Sequence, residues 1–283
     1  MFLLSPLFQH ARGPLVAAAA VLLAATVRPA GAAEIIEIPQ NNANLNAFAY
    51  VGTVEPGDDL KLLRHLSGLT KRRFTTVYLY SEGGDLGTGL EIGRILRDQK
   101  IRAVVQPITA EGAEFAKIVA ILKERGFSPP AGLAIEDYLI LLKPGLCASA
   151  CALAFLGGTD SITGRPWRTK AASARLGFHS FSRSFKPGTY SADDMSRETQ
   201  IAQRIAFNVI SYMQDIDLSL RFVPIMFKVE SASMNFISNR EALLLGIHVW
   251  DDQLPKDSGF IPSDRVETAG GTVPPRCPTE PQQ

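Results

Sequence analysis

Ser149 stands between two cysteines in KPGLCASACALAFLGG, residues 143–158, with one alanine on each side. A serine becomes a nucleophile when a base takes its proton and backbone N–H groups meet the oxyanion that forms. An apolar run leads into this stretch and a small-residue run leads out, so a strand–turn–helix is expected. Ala148 and Ala150 permit a cramped turn with the hydroxyl exposed, which is the logic of a nucleophile elbow although G-x-S-x-G is absent. The same residues also suit a tight, Ala-rich packing segment. If Ser149 attacks a carbonyl, the N–H of Ala150 is placed to meet the oxyanion. A second turn of this kind, SEGGDLG at 81–87, also follows a strand-like run and precedes a helix-like one. Gly83 and Gly84 let the backbone approach a ligand without a Cβ in the way, and the helix N-terminus adds positive potential. Gly84 would give the second oxyanion N–H. Neither a Walker sequence nor GxGxxG accompanies it, and no nucleotide-binding segment or other cofactor signature is present.

The serine needs a base. Of four histidines, His10 lies in the N-terminal leader, leaving His65, His179 and His248. His65 sits beside Arg64 on an amphipathic run and reads as a surface residue. His248 follows a late helix in IHVW. His179 ends the apolar run ARLGFH where a polar loop begins, the position from which an imidazole projects into a cleft and exchanges protons near neutrality. A partly buried histidine bonded to backbone would look the same in sequence. The cysteines are Cys147, Cys151 and Cys277. The spacing of Cys147 and Cys151 leaves a disulfide and two buried thiols both open. No metal site is expected, because two cysteines and distant histidines make no recognised ligand spacing.

The chain has 283 residues, 46% hydrophobic and 20% charged, with a formal net charge of +1. That balance suits one sizeable globular domain and excludes a surface dedicated to nucleic acid, which needs a strong basic bias. Residues 1–32 have the layout of a signal peptide: Arg12, the apolar run PLVAAAAVLLAATV, and a small-x-small site at Ala30-Gly31-Ala32,. The alternative is an uncleaved anchor, although the run is shorter than the roughly twenty residues that span a bilayer comfortably. A periplasmic or secreted protein with no integral span after cleavage is expected.

The elements that would carry these residues alternate. AFAYVGTV reads as a strand, with a helix through LKLLRHLSGL capped by Asp58 or Asp59. FTTVYLY at 74–80 is a β-branched and aromatic strand, followed by a helix through LEIGRILRDQK and a strand in IRAVVQP. Residues 107–132 read as an insertion. Their apolar positions 115, 118, 119 and 122 mark an amphipathic helix that closes at Gly126,. DYLILL at 137–142 is expected to be a buried strand, and DSIT and ARLGFHSF short strands. A long helix runs from about Asp193 to Met213, SLRFVPIMFKV is mostly helical, and a helix capped by Ser238 ends at Gly246 before a last strand. Residues 33–44 read as an N-terminal extension, 45–252 as the domain, and 253–283 as a Pro/Gly-rich tail,. Alternating strands and helices imply an α/β fold with a largely parallel sheet, whose chemistry sits where strands end and helices begin.

Strand–SEGG–helix, strand–CASAC–helix, LGFH and NFISNREALLLGI together resemble the Clp protease proteolytic subunit and crotonase superfamily. More closely, the chain looks like exported bacterial Clp-protease-like proteins with a C-x-S-A-C segment, over about residues 45–252. The resemblance implies a right-handed spiral of ββα units. It implies Ser149 as nucleophile, His179 as base, Gly84 and Ala150 as oxyanion donors and, by alignment through Phe236 and Ser238, Glu230 as the acid. Asp215 and Asp217 compete for that last role. This sequence departs from the family where Glu82 replaces the usual proline, where the acid is a glutamate, and in the 107–132 insertion.

An exported serine hydrolase, a peptidase acting on peptide or protein substrates, is the reading these features favour. The alternatives are a non-catalytic binding or assembly protein on the same fold and a crotonase-like acyl-CoA enzyme, against which export argues. A serine–lysine variant would use Lys170 or Lys186. The family often forms rings, so a homo-oligomer is compatible with the chain.

Overall fold

A computed structural model describes residues 32–40, 42–108, 113–180, 191–230 and 233–251. The expected signal peptide, except for Ala32, and the expected tail lie outside those residues. The protein is mixed α/β. Its elements run β1 Glu34–Glu37, β2 Leu45–Val51, α1 Asp58–Gly68, β3 Phe74–Tyr80, α2 Leu86–Asp98, β4 Arg102–Val105, α3 Ala113–Glu124, α4 Ile135–Leu142, β5 Leu146–Ala148, α5 Ala150–Phe155, β6 Arg168–Ala171, β7 Arg175–Phe178, α6 Ala192–Asp215, α7 Phe222–Met226, β8 Asn235–Phe236, α8 Asn239–Leu244 and β9 His248–Trp250. Six strands form the main sheet in the order β1-β2-β3-β4-β6-β9, parallel except for the antiparallel edge β1. A smaller sheet, β5-β7-β8, carries the serine and histidine turns. It is joined to the main sheet at the end of β3 by Ser81, whose N–H donates to Leu146 O (2.9 Å) and whose carbonyl accepts from Ala148 N–H (3.0 Å).

The main sheet is buried on both faces, and the pleat sorts its residues. Phe48 and Tyr50 of β2, with Ile35 of β1, join a core formed with α2, α5, α6 and α8. Their neighbours Ala49, Val51 and Ile36 face the other way, against Val119, Leu122, Ile135, Tyr138, Leu139 and Leu142, as the period of two requires. α3, within the expected insertion, and α4, which follows it, therefore complete a second core. Residues 34–37, expected outside the domain, form its edge strand; β1 pairs in register with Val51 through Phe48.

Two local expectations are corrected. DYLILL is helix, not strand: Ile135, Tyr138, Leu139 and Leu142 are buried at helical spacing while Ile140 and Leu141 stay more than half exposed. A short apolar run carries no period of its own to separate the two states. DSIT is a turn, because Asp160 Oδ1 accepts from Ile162 N–H (3.0 Å) and Thr163 N–H (2.8 Å). Asp160 Oδ2 meanwhile takes the guanidinium of Arg102, which lies over the Phe74 and Trp167 rings. Burial pushes the Asp160 carboxyl up, but the Thr163 and Arg102 hydrogen bonds outweigh it and bring the pKa from 3.8 down to about 2,. Because the folded pKa is depressed, this contribution is present above pH 3.8 and is lost as pH falls through about 2,. Asp160→Asn is therefore expected to lower stability by about 2 kcal/mol at neutral pH. In denaturant titrations at a series of pH values, the difference from wild type should shrink toward the acid end of that window.

Candidate active site

The elbow is built by short elements locked into larger ones. β5 has three residues and α5 six, and α5 is buried along its whole length. α2 crosses α5 closely enough that a Cβ on Gly89 would lie 2.7 Å from Ala150 O, and one on Gly157 would lie 1.9 Å from Gly93 O. Between β5 and α5, Ser149 has φ 54° and ψ −124°, a left-handed conformation that a serine rarely adopts,. Its N–H donates to Gly177 O (2.9 Å) on β7. The turn presents Oγ to His179, one residue past the end of β7: Ser149 Oγ and His179 Nε2 are 2.7 Å apart.

The other ring nitrogen settles the tautomer. His179 Nδ1 lies 2.7 Å from the Ser180 carbonyl, an acceptor that can only take a hydrogen, so Nδ1 carries the proton and Nε2 is free to accept one. Ser180 is held in turn. Its N–H and Oγ both donate to Val229 O, at 3.1 and 2.8 Å.

Glu230, expected to complete a triad, lies at the surface with no side-chain hydrogen bond or ion pair among the described residues. The residue before it supplies the anchoring carbonyl instead. Asp215 and Asp217 are engaged elsewhere, by Arg94 (2.9 Å) and Arg97. Lys170 is buried with Nζ on Asn239 Oδ1 (2.6 Å) and Ala171 O (2.8 Å), and Lys186 lies outside the described residues. His65 is half buried rather than on the surface. It packs edge-on against Phe48 with centroids 4.9 Å apart, and burial lowers its pKa. His248 packs near Trp167, and burial lowers its pKa too.

The SEGG loop closes on the elbow. Ser81 Oγ accepts from Gly83 N–H (3.0 Å), and Gly83 O accepts from Val54 N–H (2.7 Å). That leaves Gly84 N–H without an acceptor among the described residues, while its φ of 140° and the Val54 backbone beside it permit only glycine. Ala150 N–H, first in α5, has no intrahelical acceptor,. Glu82 ties this loop to α4 and to the chain just past β2: it accepts from Tyr138 Oη (2.6 Å) and Thr53 Oγ1 (2.5 Å). Burial, then the Glu82 charge, raises the Tyr138 pKa.

Cys147 and Cys151 form a disulfide across the elbow, with Cα atoms 5.3 Å apart. No group of three or more His, Cys, Asp or Glu residues able to hold a metal occurs among the described residues. No described helix is long and apolar enough to cross a membrane. Sequence reasoning missed Ser180, Val229 and Gly177 because their contributions are backbone carbonyls, which no residue type announces.

Thus the class the fold and site define is an α/β protein in which a serine on a positive-φ strand–helix turn meets a histidine from the end of a neighbouring strand. Compared with protein-family models and with curated proteins, the chain finds no match.

Proposed function

We propose that this chain is an exported serine hydrolase, a peptidase, on the Clp-protease/crotonase-like spiral of ββα units. The observation that carries the reading is the 2.7 Å contact between Ser149 Oγ and His179 Nε2 at a left-handed residue. Backbone strain of that kind costs of order 1–3 kcal/mol and concentrates at functional sites. In the reaction, Ser149 Oγ attacks the acyl carbon as its proton passes to His179 Nε2. The N–H groups of Gly84 and Ala150 meet the oxyanion. The leaving amine takes the proton from His179 as the C–N bond breaks, and water then frees the acyl group by the same route. The base is oriented by the Ser180 carbonyl in place of a carboxylate, which fixes the tautomer without adding a negative charge.

The absence of a carboxylate on His179 among the described residues is also what favours the second reading, a binding or assembly protein that keeps the turn without the reaction. A fluorophosphonate separates the two. The purified protein is expected to be labelled, with the label lost in Ser149→Ala and retained within about twofold in Glu230→Gln, since an exposed carboxylate that makes no hydrogen bond to the imidazole contributes little,. A folded wild type that ignores the probe rejects the hydrolase. Labelling lost in Glu230→Gln restores the triad.

A further inference from the structure

The disulfide is placed where it can control the proposed reaction. Cys147 is the middle residue of β5, paired with Leu176 of β7 and bridged to Ser81. Cys151 is the second residue of α5. The ring closed by their bond holds three residues, Ala148, Ser149 and Ala150, so it contains the nucleophile and one oxyanion donor. Neither flanking element is long enough to hold a strained joint alone, since helices this short do not persist without tertiary support. His179 is carried by β7 and anchored through Ser180 to Val229, independently of α5. With the Ser149 N–H held on Gly177 O (2.9 Å), rotation of α5 against β5 would therefore turn Ser149 Oγ and Ala150 N–H about that point, out of line with a fixed imidazole.

We propose that the Cys147–Cys151 disulfide is the positioning device for Ser149, and that reduction by a dithiol switches the site to a slow form. The proposal rests on the hydrolase reading for its catalytic consequence. In the reductive step a dithiol thiolate attacks one protein sulfur and the S–S bond breaks. The second dithiol sulfur then displaces the mixed disulfide. Cys147 and Cys151 end as thiols, each with one proton, and the dithiol ends as a cyclic disulfide. Both cysteines are buried, at 0% and 1% exposure, so attack requires a local opening and the switch responds to sustained reducing conditions.

The test uses the purified protein before and after dithiothreitol, with thiols counted by alkylation and mass measurement. Reduction is expected to slow fluorophosphonate labelling of Ser149 about tenfold and to restore on reoxidation. It should speed amide hydrogen exchange at residues 148–151 and leave exchange elsewhere unchanged. The double variant Cys147→Ala/Cys151→Ala, which keeps Cys277, should label as slowly as the reduced protein and ignore dithiothreitol. Two counted thiols with unchanged labelling and exchange would overturn the proposal, as would global unfolding on reduction, which makes the bridge a general staple. Oxidised protein that never labels rejects the hydrolase reading instead, and the exchange comparison still decides whether the bridge holds the elbow.

Discussion

His179→Ala is expected to slow fluorophosphonate labelling of Ser149 by about 10³-fold, within the range that a general base contributes. The argument is geometric. Ser149 Oγ has one hydrogen-bond partner recorded among the described residues, His179 Nε2 at 2.7 Å, and Nδ1 is committed to the Ser180 carbonyl. The imidazole is therefore held in the one tautomer that can accept the serine proton. Lys170, one of the two lysines a serine–lysine mechanism would use, spends its Nζ on Asn239 and Ala171, and Lys186 lies outside the described residues. Removing the imidazole should leave the fold intact, because His179 lies past the end of β7 and is only partly buried. Thermal unfolding of the variant should stay close to wild type while the labelling rate collapses. A His179→Ala protein that labels at the wild-type rate would remove the imidazole from the mechanism.

Gly83→Ala is expected to cost about 10²-fold in labelling, the scale of losing an oxyanion donor, together with about 2 kcal/mol of stability. A Cβ at Gly83 would fall 2.6 Å from Ser149 Cβ, 2.8 Å from Ala148 O and 3.2 Å from Ala150 N, at a residue whose φ is already 112°. Two of those three atoms are backbone, so the elbow and the loop must separate. Separation displaces the nucleophile, Ala150 N–H and the neighbouring Gly84 N–H together. Gly126→Ala is the control. It also has positive φ, at 67°, but nothing lies within 4 Å of the new methyl group, so only the left-handed cost of about 1 kcal/mol is expected and labelling should not change. Equal effects at the two glycines would mean that Gly83 matters for backbone strain alone, not for contact with Ser149.

Much of the framework was legible because local signals agreed with tertiary demand. FTTVYLY is β3 at the bounds its β-branched and aromatic run indicates. Ser238 caps α8 through a reciprocal bond with Glu241, and Gly246 ends the turn that follows at φ 75°. β6 was not legible. RTKA, three polar residues and an alanine, takes no assignment from sequence, yet all four residues are buried in a strand. Arg168 Nη2 donates to the Ile216 carbonyl (3.3 Å) at the end of α6 while its buried Nε has no partner among the described residues, and Lys170 Nζ donates to Asn239 Oδ1. Such charges are tolerated inside only when distant partners meet them, and those partners lie 48 and 69 residues away.

The sequence by itself determined the alternation of strands and helices, the two strand-to-helix turns at SEGG and CASAC, and the choice of Ser149 and His179, because residue type and period are local properties. Tertiary structure alone decided that these two meet at 2.7 Å, that α4 is a helix closing a second core, and that the imidazole is oriented by a carbonyl rather than by Glu230. Contacts of that kind depend on backbone groups brought together across 30 and 49 residues. A backbone carbonyl has the same chemistry at every position, so only the fold can say which one is used.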